Sequence, residues 1–284
     1  MVFLKRILPM ATALLLAPSL CFSETLHISE DVTLSGEFTQ GGMIIGSVTP
    51  GSRVSLDGKS IRLTDSGDFV FGFGRDASNS SIITITLPNG KTLQKPLTIS
   101  QREYKLQRIE GVPEKTVTPP PQALARIKKE TAQVKTARKT NSNLLHFLSS
   151  FQWPLTGPIT GVYGSQRIYN GVPKRPHYGL DIAAPIGTEV TAPANATVTL
   201  AHQNMFYSGG TLIMDHGYGI SSTFIHLDEV LVKVGDQIKQ GDIVAKVGSK
   251  GRSTGPHLDW RINWFDVRLD AGLITPVMPK ESTP

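Results

Sequence analysis

Short runs in which every second residue is apolar recur through the first hundred residues of this chain, and turn signals separate them. Phe69, Phe71 and Phe73 share one face of a candidate strand, and Ile83, Ile85 and Leu87 repeat the period. A period of two is that of an extended strand. Turns every 8–12 residues then favour a small β-sandwich. We predict such a sandwich, immunoglobulin-like in type, over residues 24–100.

The pattern becomes helical after the three prolines at 119–121, which form a stiff extended break. The apolar or small positions that follow recur at helical spacing and are Leu124, Ile127, Thr131 and Val134. Residues 101–140 hold ten Lys and Arg against four Glu, a net charge of +6 that equals the +6 of the whole chain. We predict a short basic linker with one helix over residues 101–150. It is either a solvated helix packed on a domain or a segment attracted to an anionic envelope polymer, lipid headgroups or an envelope protein.

Glycine becomes frequent over residues 151–276, and short strand-like runs replace any long amphipathic helix. These runs lie at residues 188–190, 197–201, 211–214, 222–226, 243–247 and 258–262. They predict an antiparallel β domain, so the fold class of the whole protein is mainly β. Residues 277–284 are predicted to form a disordered tail.

The first 23 residues have the composition of a secretory signal peptide. Lys5 and Arg6 precede an uncharged, mostly apolar stretch at 7–22 that two prolines interrupt. This stretch is too short and broken for a membrane span, and no later one reaches 18 consecutive apolar residues. The single cysteine, Cys21, lies within it, so a disulfide framework and a thiolate zinc site are both excluded. We predict a periplasmic or secreted protein with no transmembrane segment and no nucleic-acid partner.

Three short histidine motifs carry the candidate chemistry. His177 and Asp181 are four residues apart, and His257 and Asp259 are two apart, so each pair can share one face of an extended segment. His226 ends an apolar run and needs a polar partner if it is buried. Imidazole and carboxylate groups both bind zinc. From these residues alone, a simple His–Asp hydrogen bond and an exposed polar strand face remain open alternatives.

The motifs, in this order and with their glycines, resemble the lysostaphin/LytM-type zinc metallopeptidases, which cut peptide bonds in bacterial peptidoglycan. The resemblance covers residues 153–275 and includes the run Gly-Arg-Ser-Thr-Gly-Pro-His-Leu before Asp259. It implies a domain of the LytM/duplicated-hybrid-motif type that hydrolyses amides with a metal-activated water. It also implies one zinc ion bound by His177, Asp181 and Asp259, with His226 and His257 as catalytic residues. The layout of the whole chain resembles proteobacterial envelope members of that family.

Asp259 is a departure, because the family has a histidine as its third ligand. Zinc with two carboxylates is formally neutral, which acidifies a bound water less than a centre of charge +1. Two functions therefore remain. One is an endopeptidase that cuts cross-links or stem peptides, and the other is a weak or inactive wall-binding module that activates other cell-wall hydrolases. The turns at 234–243 also resemble those of biotinyl and lipoyl carrier domains, which is a third possible function. A carrier needs a lysine at the tip of a tight hairpin, and neither Lys246 nor Lys250 is in such a position.

Overall fold

The computed structural model describes residues 24–109, 120–169 and 171–279. The predicted signal peptide and the last five residues of the predicted tail lie outside the described residues. Within these ranges the protein is mainly β, as predicted, with a single α-helix. None of the helices in those ranges combines the length and the apolar composition that crossing a bilayer requires.

Two four-stranded antiparallel sheets form the N-terminal part, with strands numbered in chain order. The first sheet has the order β1 (Glu24–Ser29), β2 (Val32–Gly36), β3 (Met43–Val48), β6 (Asp68–Gly72). The second has the order β5 (Lys59–Ile61), β4 (Arg53–Leu56), β7 (Ser80–Thr86), β8 (Thr92–Thr98). The two sheets bury one apolar cluster that contains Phe69, Phe71 and Ile83. The period-two pattern located these strands, and the immunoglobulin-like assignment stays a prediction.

An eight-stranded sheet forms the centre of the C-terminal part. Its order is β10 (Ile159–Gly161), β13 (Leu180–Ala183), β21 (His257–Trp264), β17 (Ile220–Leu227), β16 (Gly209–Gly217), β15 (Ala196–Met205), β19 (Gln237–Ile238), with β22 (Val267–Leu269) beside β21. On the apolar side of β21, Leu258, Trp260 and Ile262 are fully buried and pack in the core. The strand-like runs predicted around 197–201, 211–214, 222–226 and 258–262 all lie in this sheet.

Two small three-stranded sheets complete the β structure. One has the order β12 (Val172–Pro173), β11 (Gln166–Tyr169), β9 (Leu106–Ile109), and its β9 and β11 are parallel. The other has the order β14 (Glu189–Thr191), β20 (Ile243–Lys246), β18 (Glu229–Val230). The predicted runs near 188–190 and 243–247 fall in this second sheet.

The predicted helix is present as α1 (Leu124–Arg138), but it buries a different face. Leu124 and Thr131 are exposed, whereas Glu130 and Arg138 are buried, so the predicted stripe is wrong at these positions. Glu130 is buried because its carboxylate accepts a hydrogen bond from the backbone N–H of Phe206 at 2.8 Å and pairs with Arg126 at 2.7 Å. Polar contacts to the large sheet therefore fix the orientation of α1.

The two parts of the protein meet in a packed interface. Met43 and Val70 from the first N-terminal sheet belong to the same apolar cluster as Leu269 on β22. Arg102 forms an ion pair with Asp270 at 2.8 Å, and the Asp270 backbone N–H donates to the Gly41 carbonyl at 2.8 Å. The face of the large sheet around β21 and β22 therefore lies beside the N-terminal sheets.

Candidate metal centre

Two neighbouring strands place two carboxylates side by side. Asp181 on β13 lies directly opposite Asp259 on β21 in an antiparallel pair, and opposed residues share one face of the sheet. His177 precedes β13, and its ring reaches the same place. One ligand atom from each of His177, Asp181 and Asp259 lies within 4.8 Å of the others. The structure thus brings the three predicted metal ligands together.

Two glycines make room for these carboxylates. A Cβ atom on Gly161 would lie 2.1 Å from Oδ2 of Asp181, and one on Gly179 would lie 1.9 Å from Oδ1 of Asp259. Both distances are far below van der Waals contact. The glycine inside the His-Tyr-Gly-Leu-Asp motif is therefore required by the packing of a carboxylate from another strand.

The donor set fits a divalent metal. His177 Nε2 and Asp181 Oδ1 are buried, 3.2 Å apart, and neither has a hydrogen-bond partner among the described residues. Buried polar atoms without partners are rare and costly, and a shared cation would satisfy both of these. One imidazole and two carboxylates are suitable zinc ligands. Burial lowers the pKa of His177, but the carboxylates of Asp181 and Asp259 outweigh it and leave this pKa raised.

Arg261 holds Asp259 in a two-pronged ion pair. Its Nε donates to Oδ1 of Asp259 at 2.8 Å, and its Nη2 donates to Oδ2 at 2.5 Å. Burial alone would raise the pKa of Asp259, but the Arg261 guanidinium lowers this pKa to about 2. Arg261 was given no role from the sequence. The signal was available, because residues two apart in a strand lie on one face.

Two histidines flank the ligand cluster. His257 Nδ1 donates to the Gly255 carbonyl at 2.8 Å, and His226 Nδ1 donates to the Lys250 carbonyl at 2.8 Å. Because a carbonyl only accepts, Nδ1 carries the proton in each neutral ring, and Nε2 carries the lone pair. His257 Nε2 lies 3.8 Å from Oδ1 of Asp181, and the two imidazole rings are 4.9 Å apart. Burial lowers the pKa of His226, which favours its neutral form.

Another histidine and the two lysines considered for a carrier domain have structural partners. His216 is fully buried, and its ring nitrogens contact the Asn195 carbonyl and the Ser222 hydroxyl, each at 2.8 Å. Lys246 pairs with Glu229 at 2.9 Å, and Lys250 pairs with Asp228 at 3.2 Å. Both lysines considered for a carrier domain are therefore engaged in ion pairs.

Comparison with known proteins bears on the C-terminal part of the chain. Residues 175–271 match the sequence profile of Peptidase family M23. The peptidoglycan DD-endopeptidase ShyB of Vibrio cholerae is 37% identical over 87 residues, which are 31% of this chain and 20% of that protein. The DD-carboxypeptidase/endopeptidase Mpg of Neisseria meningitidis is 34% identical over 110 residues, which are 39% of this chain and 24% of that protein. The matched segment thus spans about a fifth to a quarter of these curated relatives.

A solved structure extends the similarity to most of the chain. A Pseudomonas aeruginosa crystal structure whose description assigns it to peptidase M23 superposes with a TM-score of 0.65 and 26% identity. The superposition covers 84% of this chain and 95% of that one. The superposition therefore extends beyond residues 175–271, which contain the ligand cluster. The residues that match Peptidase family M23 include all three candidate metal ligands, His177, Asp181 and Asp259.

Proposed function

We propose that this protein is a zinc endopeptidase that hydrolyses peptide cross-links or stem peptides of bacterial peptidoglycan. His177, Asp181 and Asp259 would hold the zinc ion. The observation that carries the proposal is the buried pair His177 Nε2 and Asp181 Oδ1, which lack hydrogen-bond partners among the described residues and lie beside a second carboxylate, that of Asp259. The M23 domain and the names of its relatives support the choice of substrate.

The chain's own residues supply the proton chemistry. When bound, zinc acts as a Lewis acid that polarises the scissile carbonyl and makes a water more acidic. His226 and His257 each present an unprotonated Nε2 when neutral, which is the atom needed to accept a proton from the attacking water. The lowered pKa of His226 keeps that ring neutral near pH 7. Once protonated, the same imidazoles can stabilise the developing oxyanion and protonate the leaving amine.

Arg261 compensates for the aspartate that replaces a histidine. The Asp259–Arg261 ion pair has no net charge, as a neutral imidazole has none. Zinc with His177, Asp181 and this pair therefore has the same formal charge of +1 as a centre with two histidines and one aspartate. Arg261 is in this scheme a positioning residue that also restores the electrostatics of the site.

The function is tested by assaying the purified protein on peptidoglycan and on soluble cross-linked peptides, before and after chelation and zinc restoration. We expect the chelator to abolish hydrolysis and zinc to restore it. Asp259→Ala should lose both zinc and activity. Asp65→Ala, which changes an exposed aspartate of the N-terminal part, is the matched control and should retain both. Zinc-independent hydrolysis, or an active Asp259→Ala variant, would overturn the ligand assignment.

One observation favours a second function. Arg261 already engages both oxygens of Asp259, and this contact competes with a metal for the same carboxylate. If Arg261 keeps the metal away from Asp259, the domain is a weak or inactive wall-binding module that activates other cell-wall hydrolases. A wild-type protein that binds no zinc and cleaves nothing, yet stimulates a separate wall hydrolase, would establish this alternative.

The proposal extends to the rest of the chain. We propose that the chain consists of a signal peptide at 1–23, an immunoglobulin-like domain at 24–100, a basic linker at 101–150 and the peptidase domain at 151–276. The proposed location is periplasmic or secreted. Lys128, Lys129 and Lys135 are exposed along α1, which supports attraction of the linker to an anionic envelope polymer or an envelope protein. Binding to an anionic polymer that weakens steeply with salt would support this role.

A further inference from the structure

Three arginines gather on one face of the sheet beside the ligand cluster. In the register of β17, β21 and β22, Thr223 lies opposite Arg261, and Asn263 lies opposite Arg268. Arg261 and Asn263 are two apart on β21, so all four residues share the face that carries Asp259. Arg138, at the end of α1, reaches the same face, because its Nη2 contacts the Thr223 hydroxyl at 3.4 Å. The three guanidinium groups thus extend from the candidate metal centre along the sheet.

Only one of the three is paired with a carboxylate. Arg261 donates to Asp259, as described above. Arg268 donates to the amide oxygen of Asn263 at 3.2 Å, and Arg138 donates to the Thr223 hydroxyl at 3.4 Å. Among the described residues, no carboxylate lies within 4.0 Å of Arg138 or Arg268. The Nε of Arg138 is buried without a hydrogen-bond partner in the described part of the chain.

Such an arrangement is costly without an anion. Arg138 is only 9% exposed, and buried guanidinium groups are nearly always paired. Burial and the nearby Arg268 and Arg261 lower the pKa of Arg138 to about 8. Burial and Arg261 also lower the pKa of Arg268, to about 10. Asp266 is the other nearby acid, and it is exposed. An anion bound between Arg138 and Arg268 would relieve both the repulsion and the missing hydrogen bond.

One member of the cluster, Arg268, can be reached from solvent. Arg268 lines a cleft of about 510 Å³ between the N-terminal sheets and the peptidase domain, together with Tyr178, Trp264 and Arg75. Tyr178 follows the candidate ligand His177 directly in the chain. Asp259 and Asn263 are four residues apart on β21, roughly 13 Å at the rise of a strand. Allowing for the reach of the arginine side chains, an anion there lies about two to four residues along an extended peptide from the scissile bond.

We propose that Arg268 and Arg138, backed by Arg261, form a subsite that binds a carboxylate of the peptide substrate. This proposal rests on the proposed endopeptidase function and adds a specificity to it. Peptidoglycan stem peptides carry free carboxylates, and a planar guanidinium binds a carboxylate through two parallel hydrogen bonds. The subsite selects peptides that present a carboxylate a short distance from the bond to be cut.

The test compares one soluble cross-linked stem peptide with its fully amidated form. For the wild type we expect kcat/KM to be about tenfold or more higher for the carboxylate form, mainly through KM. In Arg268→Gln and Arg138→Gln, the ratio between the two peptides should fall to about one. Arg268→Lys, which keeps the charge but loses the fork of donors, should retain part of the preference. Arg53→Gln, an exposed arginine on β4, is the matched control and should keep the whole preference.

Binding measured by calorimetry separates this proposal from the function on which it rests. A wild type that binds the carboxylate peptide more tightly than the amide, yet hydrolyses neither, would refute the endopeptidase and keep the subsite. Equal kcat/KM for both peptides in the wild type, or an unchanged ratio in a folded Arg268→Gln protein, would refute the subsite. Thermal unfolding of each variant shows whether it is folded. If Arg138→Gln fails to fold, Arg268→Gln alone decides.

Discussion

Gly179→Ala is the substitution whose effect on the metal centre follows most directly from the geometry. Gly179 lies between His177 and Asp181, and its missing side chain faces Asp259. A methyl group there would lie 1.9 Å from Oδ1 and 2.8 Å from Cγ of Asp259, and 3.1 Å from Cγ of Arg261. Ordinary contact between heavy atoms requires about 3.5 Å, so the carboxylate must move by more than about 1 Å.

The expected magnitude has two parts. Overpacking at a buried position costs about 1–3 kcal/mol, so the free energy of unfolding should fall by that amount. A metal ligand displaced from its supporting contacts typically lowers metal affinity about 10–100-fold. We therefore expect Gly179→Ala to remain folded but to bind zinc about 10–100-fold more weakly than the wild type.

Zinc affinity is measured by competition with a chromogenic chelator, and stability by urea unfolding of the metal-free protein. Gly74→Ala is the matched control, because a Cβ atom there would meet only Val267 at 3.7 Å, an ordinary contact. This control should change neither quantity. If Gly179→Ala binds zinc as tightly as the wild type, Asp259 is not a ligand at the position described here.

Two further predictions concern stability. His216 is buried, and burial lowers its pKa from 6.5 to about 4. The neutral ring therefore contributes fully to the free energy of unfolding above pH 6.5, and up to about 3 kcal/mol of it is lost as the pH falls towards 4. Urea unfolding between pH 7 and pH 4 should show this loss in the wild type and a smaller one in His216→Gln, and identical curves would contradict it. Arg261→Gln leaves the buried Asp259 carboxylate without its cation and should destabilise the metal-free protein by about 3–5 kcal/mol. The double variant Arg261→Gln/Asp259→Asn should recover part of this loss in stability. If the changes in the free energy of unfolding of the two substitutions are strictly additive, the pair is not coupled.

Much of the fold could be predicted from the period-two pattern, because a strand that buries one face needs apolar residues at alternate positions. The candidate ligand set itself came from the resemblance to the lysostaphin/LytM-type peptidases. Even spacing placed His257 and Asp259 on one face of a strand, and the structure pairs that strand with the one that carries Asp181. Spacing within one strand does not reveal which residue of a neighbouring strand lies opposite.

What the sequence could not predict depends on contacts between distant segments. The buried face of α1 is set by Glu130, which binds the backbone of Phe206, and by Arg138, which reaches Thr223. Helical periodicity assigned the buried face to apolar residues, because it carries no information about polar partners elsewhere in the chain. The arginine subsite was missed for the same reason, since its members come from three separate segments.

The central claim is that His177, Asp181 and Asp259 bind one zinc ion. Metal analysis of the purified protein after exposure to excess zinc and removal of the unbound metal tests it most directly, in parallel with Asp259→Ala and the control Asp65→Ala. We predict one zinc ion per chain in the wild type and in Asp65→Ala, and a substoichiometric amount in Asp259→Ala. A wild type that retains no zinc, or an Asp259→Ala variant that retains a full equivalent, would contradict the account.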